Sequence, residues 1–341
     1  MNRLIALAAI VGISILGLAA QDGPYTLIKE IRVGGEGGWD YLTADPPNKR
    51  LYVSHGNKAV VIDLSKDAVI GEIADTPGIH GAVAATPGRV FTSNGRGNNA
   101  SIVDAKTLQT ISRTETEGNP DYIMFEPQRK EVYTFNGRGR SATVIGADSG
   151  QVVATIPLGG KPEAAVTDAT AERVYVNIED KNTVAVIDIP THKVVANWPI
   201  APGEEAAGLA IDPKNHRLFI GASNKLMLMM DSTTGTIVGK VAVGPGVDAT
   251  VFDPATGYAF SSSGDGTTTI AHEDSPARLS VVQVLKTAPG ARTMALDPTT
   301  HRIYLPTANV LTLPPETPGG LGRITIEPNS MKILVYGLNG K

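Results

Sequence analysis

Short apolar runs alternate with polar turns along this chain, and the pattern recurs. Asp45-Pro-Pro-Asn-Lys-Arg-Leu-Tyr-Val returns as Glu126-Pro-Gln-Arg-Lys-Glu-Val-Tyr-Thr and as Asp212-Pro-Lys-Asn-His-Arg-Leu-Phe-Ile. It returns again as Asp253-Pro-Ala-Thr-Gly-Tyr-Ala-Phe and Asp297-Pro-Thr-Thr-His-Arg-Ile-Tyr-Leu, with degenerate copies at Thr86 and Asp168. That makes seven units, about 40 to 44 residues apart. A second element follows most of them: Val60-Val-Ile-Asp63, Ser101-Ile-Val-Asp104, Val184-Ala-Val-Ile-Asp188 and Met227-Leu-Met-Met-Asp231. Each unit predicts four strands. A small apolar strand such as Gly208-Leu-Ala-Ile comes first, then an Asp-Pro turn and an aromatic strand, a Gly/Asn-rich loop, a Val/Ile strand and an outer strand such as residues 194–200. Four strands repeated at this period are the signature of a β-propeller blade. The sequence therefore predicts an all-β, seven-bladed propeller. Residues 26–33 resemble an outer strand and are expected to complete the last blade, whose own third strand is Lys332-Ile-Leu-Val-Tyr.

Composition narrows the class of partner. Of 341 residues, 42% are hydrophobic and 19% charged, and the net charge of −4 gives no electrostatic footprint for nucleic acid. The absence of cysteine excludes disulfides, thiolate nucleophiles and iron–sulfur clusters. Arg3 is the one charge before Asp22, residues 4–18 are apolar apart from Gly and one Ser, and Ala19 and Ala20 follow. Residues 1–20 thus read as a secretory signal peptide. Residues 21–341 read as one periplasmic or secreted propeller domain, monomeric and without a membrane segment once the signal is removed.

The motifs Tyr52-Val-Ser, Tyr175-Val-Asn and Val184-Ala-Val-Ile-Asp resemble those of the YncE-like, YVTN-repeat propellers. So do Gly264-Asp-Gly-Thr, His272-Glu-Asp-Ser-Pro, Gly290-Ala-Arg-Thr-Met-Ala-Leu-Asp-Pro and His301-Arg-Ile-Tyr-Leu-Pro. The resemblance implies a secreted seven-bladed fold and no particular reaction, so function must be argued from a site.

Aligned on the glycine or its equivalent that precedes each inner strand, the repeats place Asp40, His80, Asp121, Glu163, Glu205, Asp248 and Arg292 in one column. Inner strands start at the channel mouth, so these side chains are expected to ring it. The loops between second and third strands open on the same face and bring His55, Asn94, Arg96, Asn136, Arg138 and Asn177 as an outer shell. Clustered carboxylates repel unless a cation neutralises them. The ring therefore reads either as a solvated funnel rim whose carboxylates accept loop N–H bonds or pair with Arg292, Arg96 and Arg138, or as a site for a divalent metal, a small polar or cationic ligand, or a partner's peptide. Carboxylates with Asn carbonyls suit Ca²⁺ or Mg²⁺, and His80 and His55 shift the preference toward a transition metal. An alternative is a metal-dependent hydrolase or lyase of the lactonase type found among similar propellers, the ion polarising a carbonyl or a bound water and Arg292 clamping an anion. Residues 307–328 replace a short loop in the last blade and are a candidate lid or a plain insertion.

Overall fold

The computed structural model describes residues 23–313 and 323–339. The expected signal peptide lies outside the described residues. Seven four-stranded antiparallel sheets follow one another in chain order. The first comprises Leu42–Asp45, Arg50–His55, Lys58–Asp63 and Ala68–Ile73. The fourth, typical of the rest, comprises Pro162–Asp168, Arg173–Ile178, Thr183–Asp188 and Lys193–Pro199. Among the described residues the helical content is two single turns, Pro46–Asn48 and Glu179–Lys181.

The repeated acids explain themselves at the turns. In every blade but the second a buried carboxylate ends the inner strand and accepts amides of the turn it opens: Glu126 from Gln128 and Arg129 (2.9 and 2.8 Å), Asp212 from Lys214 (2.9 Å), Asp297 from Thr299 (2.9 Å). The acids that end third strands do the same in the outer turns, Asp63 from Ser65 and Asp231 from Thr233, each at 2.8 Å. Asx turns of this kind satisfy backbone donors where no ladder partner exists.

The core lies between blades. Seven apolar clusters are present, one at each junction of neighbouring blades. Each holds aromatic or aliphatic residues of one second strand packed on the next blade. Tyr52, Phe91, Tyr133, Tyr175, Phe219, Phe260 and Tyr304 are all buried. At the axis the inner strands crowd one another. A Cβ on Gly208 would stand 2.4 Å from the Thr250 backbone nitrogen of the next blade, so only glycine fits there.

The last blade closes as expected. Ala295–Asp297, Arg302–Thr307 and Lys332–Leu338 are joined by the N-terminal strand Tyr25–Arg32, antiparallel to Lys332–Leu338. Gln283, from the preceding blade, fastens that strand: its Oε1 accepts from Tyr25 N (2.9 Å) and its Nε2 donates to Tyr25 O (2.8 Å). The Tyr25 ring packs edge-on against Phe260, and its hydroxyl donates to His301 O at 2.8 Å. Residues 308–331 do not form a short loop. Val310–Leu313 and Arg323–Ile326 pair as a two-stranded ribbon on the ring face, and residues 314–322 lie outside the described residues. Gln283→Ala leaves two buried backbone groups of Tyr25 without partners and is expected to cost about 2–4 kcal/mol. Urea unfolding monitored by circular dichroism measures this, and a stability unchanged from wild type would contradict the proposed fastening.

Candidate functional site at the channel mouth

Six of the seven column residues share one register. Counting five residues back from the acid that ends each inner strand, or from its counterpart Ala85 in the second blade, gives Asp40, His80, Asp121, Glu163, Asp248 and Arg292. In the fifth blade the same count from Asp212 gives Ala207. Glu205 lies two residues earlier, exposed, with a left-handed φ of 48° and its backbone N–H bound to Asn182 Oδ1 (2.7 Å). The cause is the connector. Residues 200–205 separate the fourth and fifth blades, where residues 158–161 suffice between the third and fourth. Alignment on glycines slips by two across that insertion.

The four register acids and His80 are recessed in the mouth, while Arg292 is exposed. His80 Nδ1 lies 2.6 Å from Asp40 Oδ2 and 3.3 Å from Asp121 Oδ1, linking the first three blades. The ligand atoms of Asp40, His80 and Asp121 all lie within 4.8 Å of one another. The Asp121 and Glu163 side chains are each 14% exposed, which places them inside the funnel instead of on its rim. Tyr41 reaches across the axis, its hydroxyl 3.4 Å from Glu163 Oε2 and its ring edge-on to Tyr122. Below them a cavity of about 60 Å³ is lined by inner-strand residues of all seven blades, among them Tyr41, Gly81, Tyr122, Ala164, Gly208, Asp248 and Met294. Gly95 makes room for the imidazole, since a Cβ there would stand 2.5 Å from His80 Nε2.

Internal cations neutralise part of the ring. Arg292 Nε pairs with Asp248 at 2.8 Å. Lys161, which sequence reasoning did not single out, bridges Glu163 (2.6 Å) and Glu179 (2.5 Å). It stands two residues before Glu163, so it belongs to the connector, and only the fold turns it inward. Asp40 and Asp121 are left with His80 as their shared partner. Burial pushes the Asp121 carboxyl up to about 6, with His80 opposing and Asp40 adding to the shift. Burial and then the Asp121 charge push Glu163 up to about 7 against Lys161. Burial raises Asp248 as well, with Arg292 pulling the other way. For His80, burial favours the neutral ring, but the bond to Asp40 and the charges of Asp121 and Asp40 outweigh it and raise its pKa.

The expected outer shell does not assemble around the ring. Asn94 and Asn136 are fully buried and spend their amides inside their own blades, on Asn99 and Ser101 and on Ser141 and Thr143. Asn177 donates to Ala207 O and Gly208 O. His55 is buried under the glycine-rich connector: its Nδ1 lies 3.3 Å from Gly38 O, and a Cβ at Gly35 would be 2.8 Å from its Nε2. Arg96 and Arg138 are exposed, the former bound to Asn57 Oδ1. The asparagines serve as loop caps. The Asn94 and Asn136 amides fold back on the strand that follows and the Asn177 amide ties its blade to the next, demands that a column of aligned letters does not reveal.

No protein-family model matches the chain, and a search of curated proteins finds no relative. Solved structures do match in fold. A chain in a crystal structure of a mitotic checkpoint complex aligns with TM-score 0.71 at 13% identity, covering 89% of this chain and 95% of that one. A chain of hydrazine synthase from Kuenenia stuttgartiensis aligns with TM-score 0.70 at 17% identity, covering 86% and 96%. At such identities the likeness speaks for the seven-bladed propeller alone.

The shifted carboxyls carry a stability signature. Asp121 and Glu163 hold protons in the folded state that the unfolded chain releases near pH 4. Their contribution is full below that pH and is lost as pH rises through about 6 and about 7. His80 acts in the same direction, its contribution lost as pH rises through its elevated folded pKa. The melting temperature of metal-stripped protein is expected to fall by about 3–6 °C from pH 5 to pH 8, and Asp121→Asn should flatten the slope. A melting temperature that climbs across this window would contradict the assignment.

Proposed function

We propose that the protein is an exported binding module of the YncE-like propeller type that holds a divalent metal ion at its channel mouth. Asp40, His80 and Asp121 are the protein ligands. The observation that carries this reading is the convergence of two carboxylate oxygens and an imidazole nitrogen from three consecutive blades within 4.8 Å. Tetrahedral bonds of about 2.0–2.1 Å set neighbouring donors roughly 3.3 Å apart. The His80–Asp121 separation of 3.3 Å already matches, and the 2.6 Å His80–Asp40 contact has to open by about 0.7 Å as its proton leaves. The Asn94 and Asn136 carbonyls accept from Thr92 and Thr134 inside their own blades, and no asparagine joins the three converging ligands, so the donor set favours Zn²⁺, Mn²⁺ or a similar ion. A small polar or cationic ligand, or a partner's peptide, would then approach from the solvent side of the funnel.

One observation favours a catalytic use of the same mouth. Glu163, pushed up to about 7, is poised near neutral pH as a general base within reach of Tyr41. In a metal-dependent hydrolase of lactonase type it would take the proton of an attacking water, with Arg292 facing the developing anion. In a lactone and ester panel, Glu163→Gln would abolish turnover while leaving the metal bound. Absence of turnover in the metal-loaded wild type would leave the binding role alone.

Metal binding is tested by elemental analysis of natively purified protein and by thermal shift with Zn²⁺ and Mn²⁺ after chelation. Ion at about a hundred times its dissociation constant is expected to stabilise the protein by about 2.7 kcal/mol, several degrees in melting temperature. Affinity should rise from pH 6 to pH 7.5 as the ligands lose protons. His80→Ala should remove the shift. Equal shifts in wild type and His80→Ala would refute the site.

A further inference from the structure

The face opposite the ring carries a second concavity that the ring does not use. Between the first and second blades an open cavity of about 700 Å³ is walled by Pro46, Pro47, Val83, Ala84 and Pro87, a size typical of small-molecule sites. It exists because the second blade breaks the repeat. Where other inner strands end in a buried acid followed by a four-residue turn, such as Glu126 and residues 127–130, this one ends in Ala85 followed by residues 86–88. The turn is one residue shorter and lacks its carboxylate.

The groove is also lined by hydrogen-bond donors without acceptors. Tyr52 is 1% exposed and lines the cavity, yet its buried hydroxyl has no hydrogen-bond partner among the described residues. The equivalent Tyr175 donates to Ser232 O in the next blade's outer turn at 2.9 Å. At the first blade the corresponding carbonyl, Ala105 O, is engaged by Arg50 Nη1. Arg50 has no carboxylate in ion-pair range among the described residues, whereas its equivalents Arg173 and Arg217 pair with Asp188 (2.6 Å) and Asp231 (2.8 Å). Lys106, exposed on the rim, likewise has none. The acid in the cavity, Asp45, is buried and engaged with Asn48 (2.9 Å). A phenol O–H, a guanidinium with donors to spare and an ammonium thus surround an apolar trough.

We propose that this groove binds a small carboxylate with an apolar body. The carboxylate lies between Arg50 and Lys106 and the body along the proline wall, and the Tyr52 hydroxyl, sealed beneath the groove beside Arg50, becomes its donor when the Arg50 side chain swings onto the ligand. Burying an unmade hydrogen bond is costly, and a ligand that supplies the acceptor recovers that cost on binding. The site is independent of the metal reading, since it shares no residue with the mouth.

The test is isothermal titration calorimetry with acetate, hexanoate and phenylacetate, and with phenylacetamide as the neutral isostere. Hexanoate and phenylacetate are expected to bind one site saturably, tighter than acetate, and phenylacetamide at least ~10-fold more weakly than phenylacetate. Lys106→Glu should weaken phenylacetate at least ~10-fold, and Lys130→Glu, on the third blade, should leave it unchanged. Tyr52→Phe should fold with unchanged or higher melting temperature, because its hydroxyl makes no native bond, and bind phenylacetate about fivefold more weakly. No saturable carboxylate binding, amide binding equal to the acid, or unchanged affinity in both Lys106→Glu and Tyr52→Phe would overturn the proposal.

Discussion

Seven inner strands cannot reach a common axis unless their side chains there are small, and that steric limit organises the molecule. Gly208 and its neighbours let the strands pass within contact of one another, which leaves a cavity of about 60 Å³, enough for a few waters. The charged side chains stand at the mouth end instead, His80, Asp121, Glu163 and Asp248 in the second position of their strands. There they meet at the mouth. The same crowding that forbids a Cβ at Gly208 therefore concentrates Asp40, His80, Asp121, Glu163 and Asp248. Interblade apolar clusters hold the arrangement, and Tyr25 with Gln283 seals the ring against opening.

Concentrated acids then demand compensation. Two of the four carboxylates receive it from inside the chain, Glu163 from Lys161 and Asp248 from Arg292. Asp40 and Asp121 share a single imidazole. On the proposed reading protons and a divalent ion would compete for that place, because each neutralises the same pair, the proton at low pH and the ion as pH rises. On the opposite face the balance is reversed, with Arg50, Lys106 and the Tyr52 hydroxyl short of acceptors. On the two proposals, the faces of the disc would offer ligands of opposite charge separate places.

Much of this was legible in the residues because the repeat is enforced locally. An acid that must cap a turn and an aromatic that must fill a blade junction recur at fixed spacing, so blade number, strand order and closure by residues 26–33 could be read. The mouth was legible for six of seven positions. Glu205 misled because the connector before it is longer, and counting back from Asp212 instead would have given Ala207. Asn94, Asn136 and Asn177 misled because an amide beside a loop reads alike whether it faces a ligand or the protein's own side chains and backbone. Lys161 was missed because it stands in a connector and only the fold turns it toward Glu163 and Glu179, and Tyr41 because it meets Glu163 across the axis, far away in sequence.

The central claim is that Asp40, His80 and Asp121 meet around one ion. Crystals grown with Zn²⁺ and measured at the zinc absorption edge test it directly. The account predicts a single strong anomalous peak about 2.0–2.2 Å from the His80 imidazole nitrogen and from one oxygen each of Asp40 and Asp121. An empty mouth at saturating zinc, or zinc bound only at surface histidines, would contradict it.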